Sequence, residues 1–436
     1  MRLAARLGVS GAALARLHLG GALAIGQFIG RGALALALLL LVRELTPQDF
    51  STFVLALAIV AILGTVADAG FSRLLVRDTA RAGAASGALV RDLIRVRMIA
   101  VATTALFAAL ALALGAGPFE TGFAALVVVY LTLESVALGY ENAAAGAERP
   151  WRFVVAQSGA AIVLLGGLVV LVQEGGVTLT TAMAVLVGAS AVKVGGHLFA
   201  WRTRASRTDG AGSREKAATL FRQALPFLGL TLISTVYYKA GMVSLYALEG
   251  ASEAASYAAA LRVVDAVALL AVVVFLSVSP TFSRMHRDQP QEVWPTWRRM
   301  VVAVSCVALP CAVVVGVVAQ PLCALLFGDQ YRVSAAEDLR LMLPGVALLA
   351  VQAVSAAVVF MSDAHRDALL LGLFNLAVCL AAAVGFSAAF GSSGAAFALS
   401  LAELVSFASF TWLIRRRYGT PRPTSRALRL RQRARF

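Results

Sequence analysis

Charge is what this chain has least of: 14% of its 436 residues are Asp, Glu, Lys or Arg, where soluble globules carry about a quarter. With 60% apolar side chains the shortage excludes a soluble globule, since one aqueous core cannot bury that much apolar surface. Cysteine and histidine are scarce as well, four of each. Cys306, Cys311, Cys323 and Cys379 lie in or beside apolar runs without the paired spacing of a metal site, so they read as inert core residues. His18, His197, His286 and His365 are scattered near helix ends and share no motif, so no metal or catalytic role is expected of them. Long polar segments are missing too, and no gap between apolar runs can hold a soluble domain.

What the chain has instead is twelve long apolar stretches, at 17–42, 51–70, 94–115, 122–141, 153–172, 179–200, 223–248, 257–280, 300–320, 341–361, 368–390 and 394–414. Each can cross ~30 Å of hydrocarbon as a helix. The first is too long for a signal-peptide core and lacks a small-residue cleavage site, so it is expected to be retained. Of the 38 Lys and Arg, 31 fall in the two tails and the even-numbered gaps, counting Arg95 and Arg97 at the mouth of the third stretch with the gap before it. Arg43, Arg332 and Arg340 alone occupy odd-numbered gaps. The positive-inside rule therefore predicts that both termini are cytoplasmic. The net charge of +15 sits in those short gaps and in an Arg-rich tail, which points to topology and anionic lipid headgroups as partners, not nucleic acid.

The sequence thus predicts an all-α polytopic membrane protein: twelve transmembrane helices in two six-helix lobes around a central cavity. Its expected parts are a cytoplasmic tail (1–16), a first lobe (17–200), a polar, flexible linker (201–221), a second lobe (222–414) and a basic cytoplasmic tail (415–436). An even number of crossings per lobe makes any duplication a parallel one. Asp49 precedes Phe53 by four residues at the mouth of the second stretch, and Glu253 precedes Tyr257 at the mouth of the eighth, with a constant offset of 204. That match points to an internal repeat.

Four basic residues, Arg31, Lys193, Lys239 and Arg262, lie inside apolar stretches. An ionised group at that depth costs about 2.5 to 3.5 kcal/mol on insertion scales, so it must face protein or water. Arg31 has Gln27 one turn before it, a polar stripe that suits a water-filled cavity. Lys239 holds the equivalent helix of the second half, after Tyr237 and Tyr238. Acidic groups at depth are Asp68, Glu134, Glu141, Asp265 and Glu403, with Glu134 and Glu141 seven residues apart on one face. Bland readings stand beside these. Arg262 and Asp265, three apart, either neutralise each other or face a cavity. Lys193 and Glu141 are close enough to helix ends to snorkel, and Asp68 either ends its helix or serves the cavity. Gly26 and Gly30 allow a close helix contact that carries no functional signal, and Pro226 and Pro310 are candidate kinks.

Five segments in order resemble a known family. They are Leu45 to Ala56 continued by Asp68 to Arg81, then Gly146 to Phe153, Phe221 to Phe227, Ser256 to Arg262, and Leu325 to Tyr331. Together they are similar to bacterial polysaccharide flippases of the O-antigen translocase type, in the multidrug/oligosaccharidyl-lipid/polysaccharide exporter superfamily. The likeness covers about residues 15 to 415. It implies a twelve-helix, two-lobed carrier in the cytoplasmic membrane, with no bond made or broken and no cofactor. Its cargo would be an undecaprenyl-diphosphate-linked glycan for cell-surface polysaccharide such as O-antigen, lipopolysaccharide or exopolysaccharide. The resemblance further implies a monomer working beside a polysaccharide polymerase and glycosyltransferases. Substrate-binding candidates are then Arg31, Lys239, Gln27 and Arg262, and ion-coupling candidates Asp68, Glu134, Asp265 and Glu403. Many relatives carry an acidic residue two positions after the basic one in helix seven, where this chain has Ala240 and Gly241 after Lys239. Two other readings share the composition: a multidrug-type cation-coupled antiporter of the same superfamily, and a membrane-embedded glycan polymerase, ligase or glycosyltransferase. Short odd-numbered gaps without paired carboxylates weigh against the enzyme.

Overall fold

The computed structural model of the protein describes residues 11–72, 75, 86–115, 117–146, 150–202, 214–362 and 365–419. Much of the expected linker (203–213), most of the basic tail (420–436), and parts of two family-like segments (76–81 and 147–149) lie outside those residues. The described residues form eleven α-helices: α1 (Gly11–Glu44), α2 (Pro47–Asp68), α3 (Ser86–Ala113), α4 (Thr121–Gly146), α5 (Pro150–Gln173), α6 (Leu179–Arg202), α7 (Arg214–Asp288), α8 (Val293–Val317), α9 (Ala319–Phe327), α10 (Ser334–Met361) and α11 (His365–Tyr418). All but α9 are long and apolar enough to cross a membrane, ten in number.

Two of those ten are each a pair of helices. A straight 75-residue α7 would run about 110 Å, far beyond one bilayer. It breaks at Gly250 (φ 82, ψ −173), and α11 breaks at Gly391 (φ 58, ψ −135). Positive φ is nearly free for glycine and strained for other residues, so the breaks fall there. Pro310, by contrast, sits inside a continuous α8. With the limbs of α7 and α11 taken separately, each of the twelve apolar stretches overlaps a helical run among the described residues. The first residue after the Gly250 break, Ala251, follows Pro47 of α2 by the same offset of 204. One turn and a half into each helix, Phe53 and Tyr257 are both buried.

Local chemistry sets the ends. Thr46 caps α2, accepting from the Asp49 amide at 3.2 Å while its hydroxyl donates to the Asp49 carboxylate at 2.8 Å, with Pro47 at the first helical position. At the other end Ala69 turns left-handed (φ 48), and its amide closes on Val66. Gly70 follows because a side chain there would strike the Ala224 and Leu228 backbone.

The chain divides into two compact units, 1–239 and 240–436. The division falls inside α7 because its first limb packs on the first unit. Ala224 and Phe227 join Ala69, Phe71, Leu75 and Ala143, and the Thr235 hydroxyl lies 3.1 Å from that of Thr65. In the first unit α1 packs on α5, α5 and α4 on α6, and α2 and α3 on α4. In the second, α8 and α11 pack on α10. Its core sets Trp297 against Val354, Ala357 and Phe410, with the indole N–H donating to Ser355 at 3.1 Å.

Lipid tails are as apolar as side chains, so packing rests on close fit through small residues more than on water exclusion. Gly26 and Gly30 of α1 admit Phe153 and Gln157 of α5, and Gly345 of α10 lies against Ser400 of α11. One stripe of α8, including Val302, Val307, Val313 and Val317, is exposed and suits contact with hydrocarbon.

Candidate functional site

Within the first unit α1, α4, α5 and α6 line a half-open cavity of about 220 Å³. Arg31, Glu134, Glu141 and Lys193 supply its charge, and Gln27, Tyr130, Gln157 and Ser190 its neutral polar groups. Helical spacing makes this possible. Gln27 and Arg31 stand four apart on α1, Tyr130 and Glu134 four apart on α4, and Ser190 and Lys193 three apart on α6, so each helix shows one polar stripe. Gly30 contributes by having no side chain, since a Cβ there would sit 2.6 Å from the Gln157 carbonyl oxygen.

Lys193 is the hub. Its Nζ lies 2.7 Å from Glu134 Oε2 and 3.5 Å from Glu141 Oε1. Ser190 Oγ donates to Glu134 Oε1 at 2.6 Å, and Gln157 Nε2 donates to Glu141 Oε1 at 2.8 Å. One ammonium is thus shared by two carboxylates, each held by a neutral donor from another helix. Arg31 lines the same cavity but has no hydrogen bond or ion pair to the described residues. The two positive and two negative charges balance, yet they are not equivalent: Lys193 is engaged and the Arg31 guanidinium is open to an incoming anion.

Of the residues singled out from sequence, Arg31, Gln27 and Glu134 come together here, and Lys239, Arg262, Asp68, Asp265 and Glu403 do not line this cavity. Asp68 accepts from Arg97 Nε at 3.0 Å and from the Ser72 amide and hydroxyl at 3.2 and 2.5 Å. Arg97, 1% exposed, also donates to the Ser135 carbonyl, so the pair ties α2 and α3 to α4. Arg262 and Asp265 form an ion pair at 3.2 Å, the mutual neutralisation that is one of their two readings. Lys239 is half-buried on α7, and Glu403 is buried on α11.

Sequence reasoning missed Arg97, Gln157, Tyr130 and Ser190, and it assigned Lys193 and Glu141 to the membrane boundary. Arg97 was counted with a loop, although it lies eleven residues into α3. An Asp68 at helix depth with no basic residue at helical spacing was the signal for a partner on another helix. His197, one turn beyond Lys193, is buried between the rings of Tyr140 and Phe153 at 6.5 Å from each. Among the described residues no group of three or more His, Cys, Asp or Glu could hold a metal ion.

Residues 20–286 match the family model described as polysaccharide biosynthesis protein, and residues 154–432 match that of the lipid II flippase MurJ. No curated protein sequence matches the chain. Among solved structures, the lipid II flippase MurJ in an inward closed conformation aligns with a TM-score of 0.70 at 11% identity, over 90% of this chain and 87% of that one. A MOP-superfamily transporter from Pyrococcus furiosus aligns at 0.63 and 14% identity, over 93% and 95%. An inward-facing multidrug resistance MATE family transporter aligns at 0.62 and 15% identity, over 93% and 96%. At such identities these structures bear on fold alone.

Proposed function

Because the chain belongs to the polysaccharide biosynthesis protein family and, over its second part, to the overlapping lipid II flippase family, it is a multi-pass membrane transporter of the lipid-linked glycan flippase kind, and we propose that its cargo is an undecaprenyl-diphosphate-linked repeat unit. It carries that unit across the cytoplasmic membrane, with both chain termini on the cytoplasmic side, for assembly into a surface polysaccharide such as O-antigen or exopolysaccharide. No bond of the cargo changes; the work is solvation.

The observation that carries this reading is the open Arg31 guanidinium beside the engaged Lys193 in a polar cavity between apolar helices. A diphosphate and its sugars cannot cross hydrocarbon unaided, whereas a polyprenyl tail can stay in lipid. A guanidinium presents a planar fork to phosphate oxygens, and Gln27 one turn away adds an amide for phosphate or sugar hydroxyls. Lys239 and Arg262 are further cationic contacts for the cargo in this reading. Partners are the polymerase and glycosyltransferases that consume and produce the unit.

Deleting the gene should stop surface glycan while lipid-linked units continue to be made and accumulate on the cytoplasmic leaflet. Arrest of their synthesis, or unchanged surface glycan, rejects the reading. Arg31→Ala and Lys239→Ala should each reduce export at unchanged protein level, and full activity in both removes the cationic-contact assignment.

A further inference from the structure

At one end of the second unit four helices gather around a shared core and leave their charge outside. Phe282 of α7, Trp297 of α8, Val358 of α10 and Leu413 of α11 belong to that core. The rings of Trp297 and Phe407, 6.5 Å apart, bring α8 against α11, and the His286 imidazole lies 2.7 Å from the Tyr418 hydroxyl, which ties the end of α7 to the end of α11. Trp297, Val301 and Val304 of α8 face inward, as do Phe407, Phe410 and Ile414 of α11. Helical period then turns the intervening residues outward. On α8 these are Arg298, Arg299 and Val302, and on α11 Leu404, Trp412, Arg415 and Arg416, all exposed. None of the four arginines forms an ion pair with a described residue, whereas the neighbouring Arg417 reaches Asp367 at 3.4 Å. The Arg416 guanidinium sits 5.3 Å over the Trp412 ring.

We propose that the outer faces of α8 and α11 at this end form a docking surface for anionic phospholipid. The four guanidiniums take the headgroup phosphates, and the apolar stripes below them take the acyl chains. Four like charges on two touching helices repel one another and are stabilised by anions at the surface. Water or a small soluble anion can answer the arginines, but neither answers the stripe, where Val302, Leu404 and Trp412 are 60%, 52% and 55% exposed. A molecule that answers both carries phosphate at one end and hydrocarbon at the other. The spacing agrees. One helical turn of 5.4 Å separates Arg298 from Val302 and Arg416 from Trp412, and the headgroup layer is about 5 to 8 Å deep on each side of the hydrocarbon. An indole sits well at that boundary, and stacking on it holds the Arg416 fork at phosphate depth. In the sequence beyond α11, residues 420–436 add six arginines and no acidic residue, the composition of a segment drawn to anionic lipid beside a membrane helix.

The test is thermal unfolding of the purified full-length protein in a neutral detergent, with added phosphatidylglycerol, phosphatidylcholine or inorganic pyrophosphate. Phosphatidylglycerol should raise the midpoint saturably, by about 2 °C or more beyond phosphatidylcholine, and pyrophosphate should not. Each arginine removed should weaken the lipid about fivefold. The paired variants Arg298→Gln/Arg299→Gln and Arg415→Gln/Arg416→Gln should therefore each raise the half-saturating phosphatidylglycerol about 25-fold, and combining them should abolish the shift. The pairs carry the test alone if the combination does not fold. Arg332→Gln, at the far end of α10, should keep the wild-type response, and truncation after Gly419 should keep the shift at lower affinity. Equal midpoints in the two lipids, a shift that survives all four substitutions, or an equal loss in Arg332→Gln each overturns the proposal. So does a shift reproduced by pyrophosphate, which identifies a free-phosphate site, or one that vanishes with residues 420–436, which assigns it to the tail.

Discussion

Replacing Lys193 with methionine keeps the length of the side chain and removes the one cation that Glu134 and Glu141 share. At 2.7 and 3.5 Å and an effective dielectric near 20, the gross attractions are about 6 and about 5 kcal/mol. Most of that repays the desolvation of three ions. What the variant exposes is the cost of the remainder: two carboxylates on one helix face, with Arg31 in the same cavity but ion-paired to neither. Breaking a buried pair by deleting one partner costs about 3 to 5 kcal/mol. The side chains of Lys193 and Glu141 are 11% and 10% exposed and Glu134 30%, so partial solvation of Glu134 lowers the expectation to about 2 to 4 kcal/mol. Reversible unfolding in mixed micelles with increasing denaturant measures this difference. Adding Glu141→Gln to Lys193→Met should recover at least about 1 kcal/mol, because glutamine still accepts from Gln157 and carries no charge. The reasoning fails if Lys193→Met is as stable as wild type, or if the double variant loses the sum of the two single losses.

Arg97→Met should destabilise by about 3 kcal/mol in the same assay, since Asp68 keeps its two Ser72 bonds and loses the one cation paired with it among the described residues; an unchanged midpoint rejects the α2–α3–α4 tie. Gly345→Val should cost about 1 to 3 kcal/mol, because a Cβ there meets the Ser400 Cα at 2.8 Å and backbone cannot step aside; wild-type stability means α10 and α11 are less closely packed. Gly30→Leu should lower export more than it lowers protein level, by pushing Gln157 off Glu141; normal export shows that the cavity tolerates its loss. An alkaline phosphatase fusion after Arg417 should be inactive and one inserted at Gly175 active, and the reverse pattern inverts the proposed orientation.

Much of the architecture was legible because it rests on local quantities. A crossing needs only a run of apolar residues long enough for the hydrocarbon, and each of the twelve runs carries that information alone. Ala251 and Pro47 begin helical runs separated by the offset that Asp49 and Glu253 had already marked. The breaks at Gly250 and Gly391 were legible only as gaps in hydropathy; that a single glycine makes each of them needed backbone angles. Gln27 with Arg31 was legible too, being one turn of one helix. Lys193 and Glu141 were not, because nearness to a helix end was the only local fact about them, and snorkelling explained it.

By itself the sequence determined the class of protein, the apolar runs long enough to cross a membrane, and which side chains are too costly to face lipid. Only the tertiary structure decided which of those side chains meet. Helical period relates residues within one helix, but nothing in a single chain's period says which helix face meets which. Here that choice was made by small contacts such as Gly26 and Gly30 against Phe153 and Gln157. They bring Arg31 of α1 to the cavity where Lys193 of α6 holds Glu134 and Glu141 of α4, while Asp68 is drawn away to Arg97.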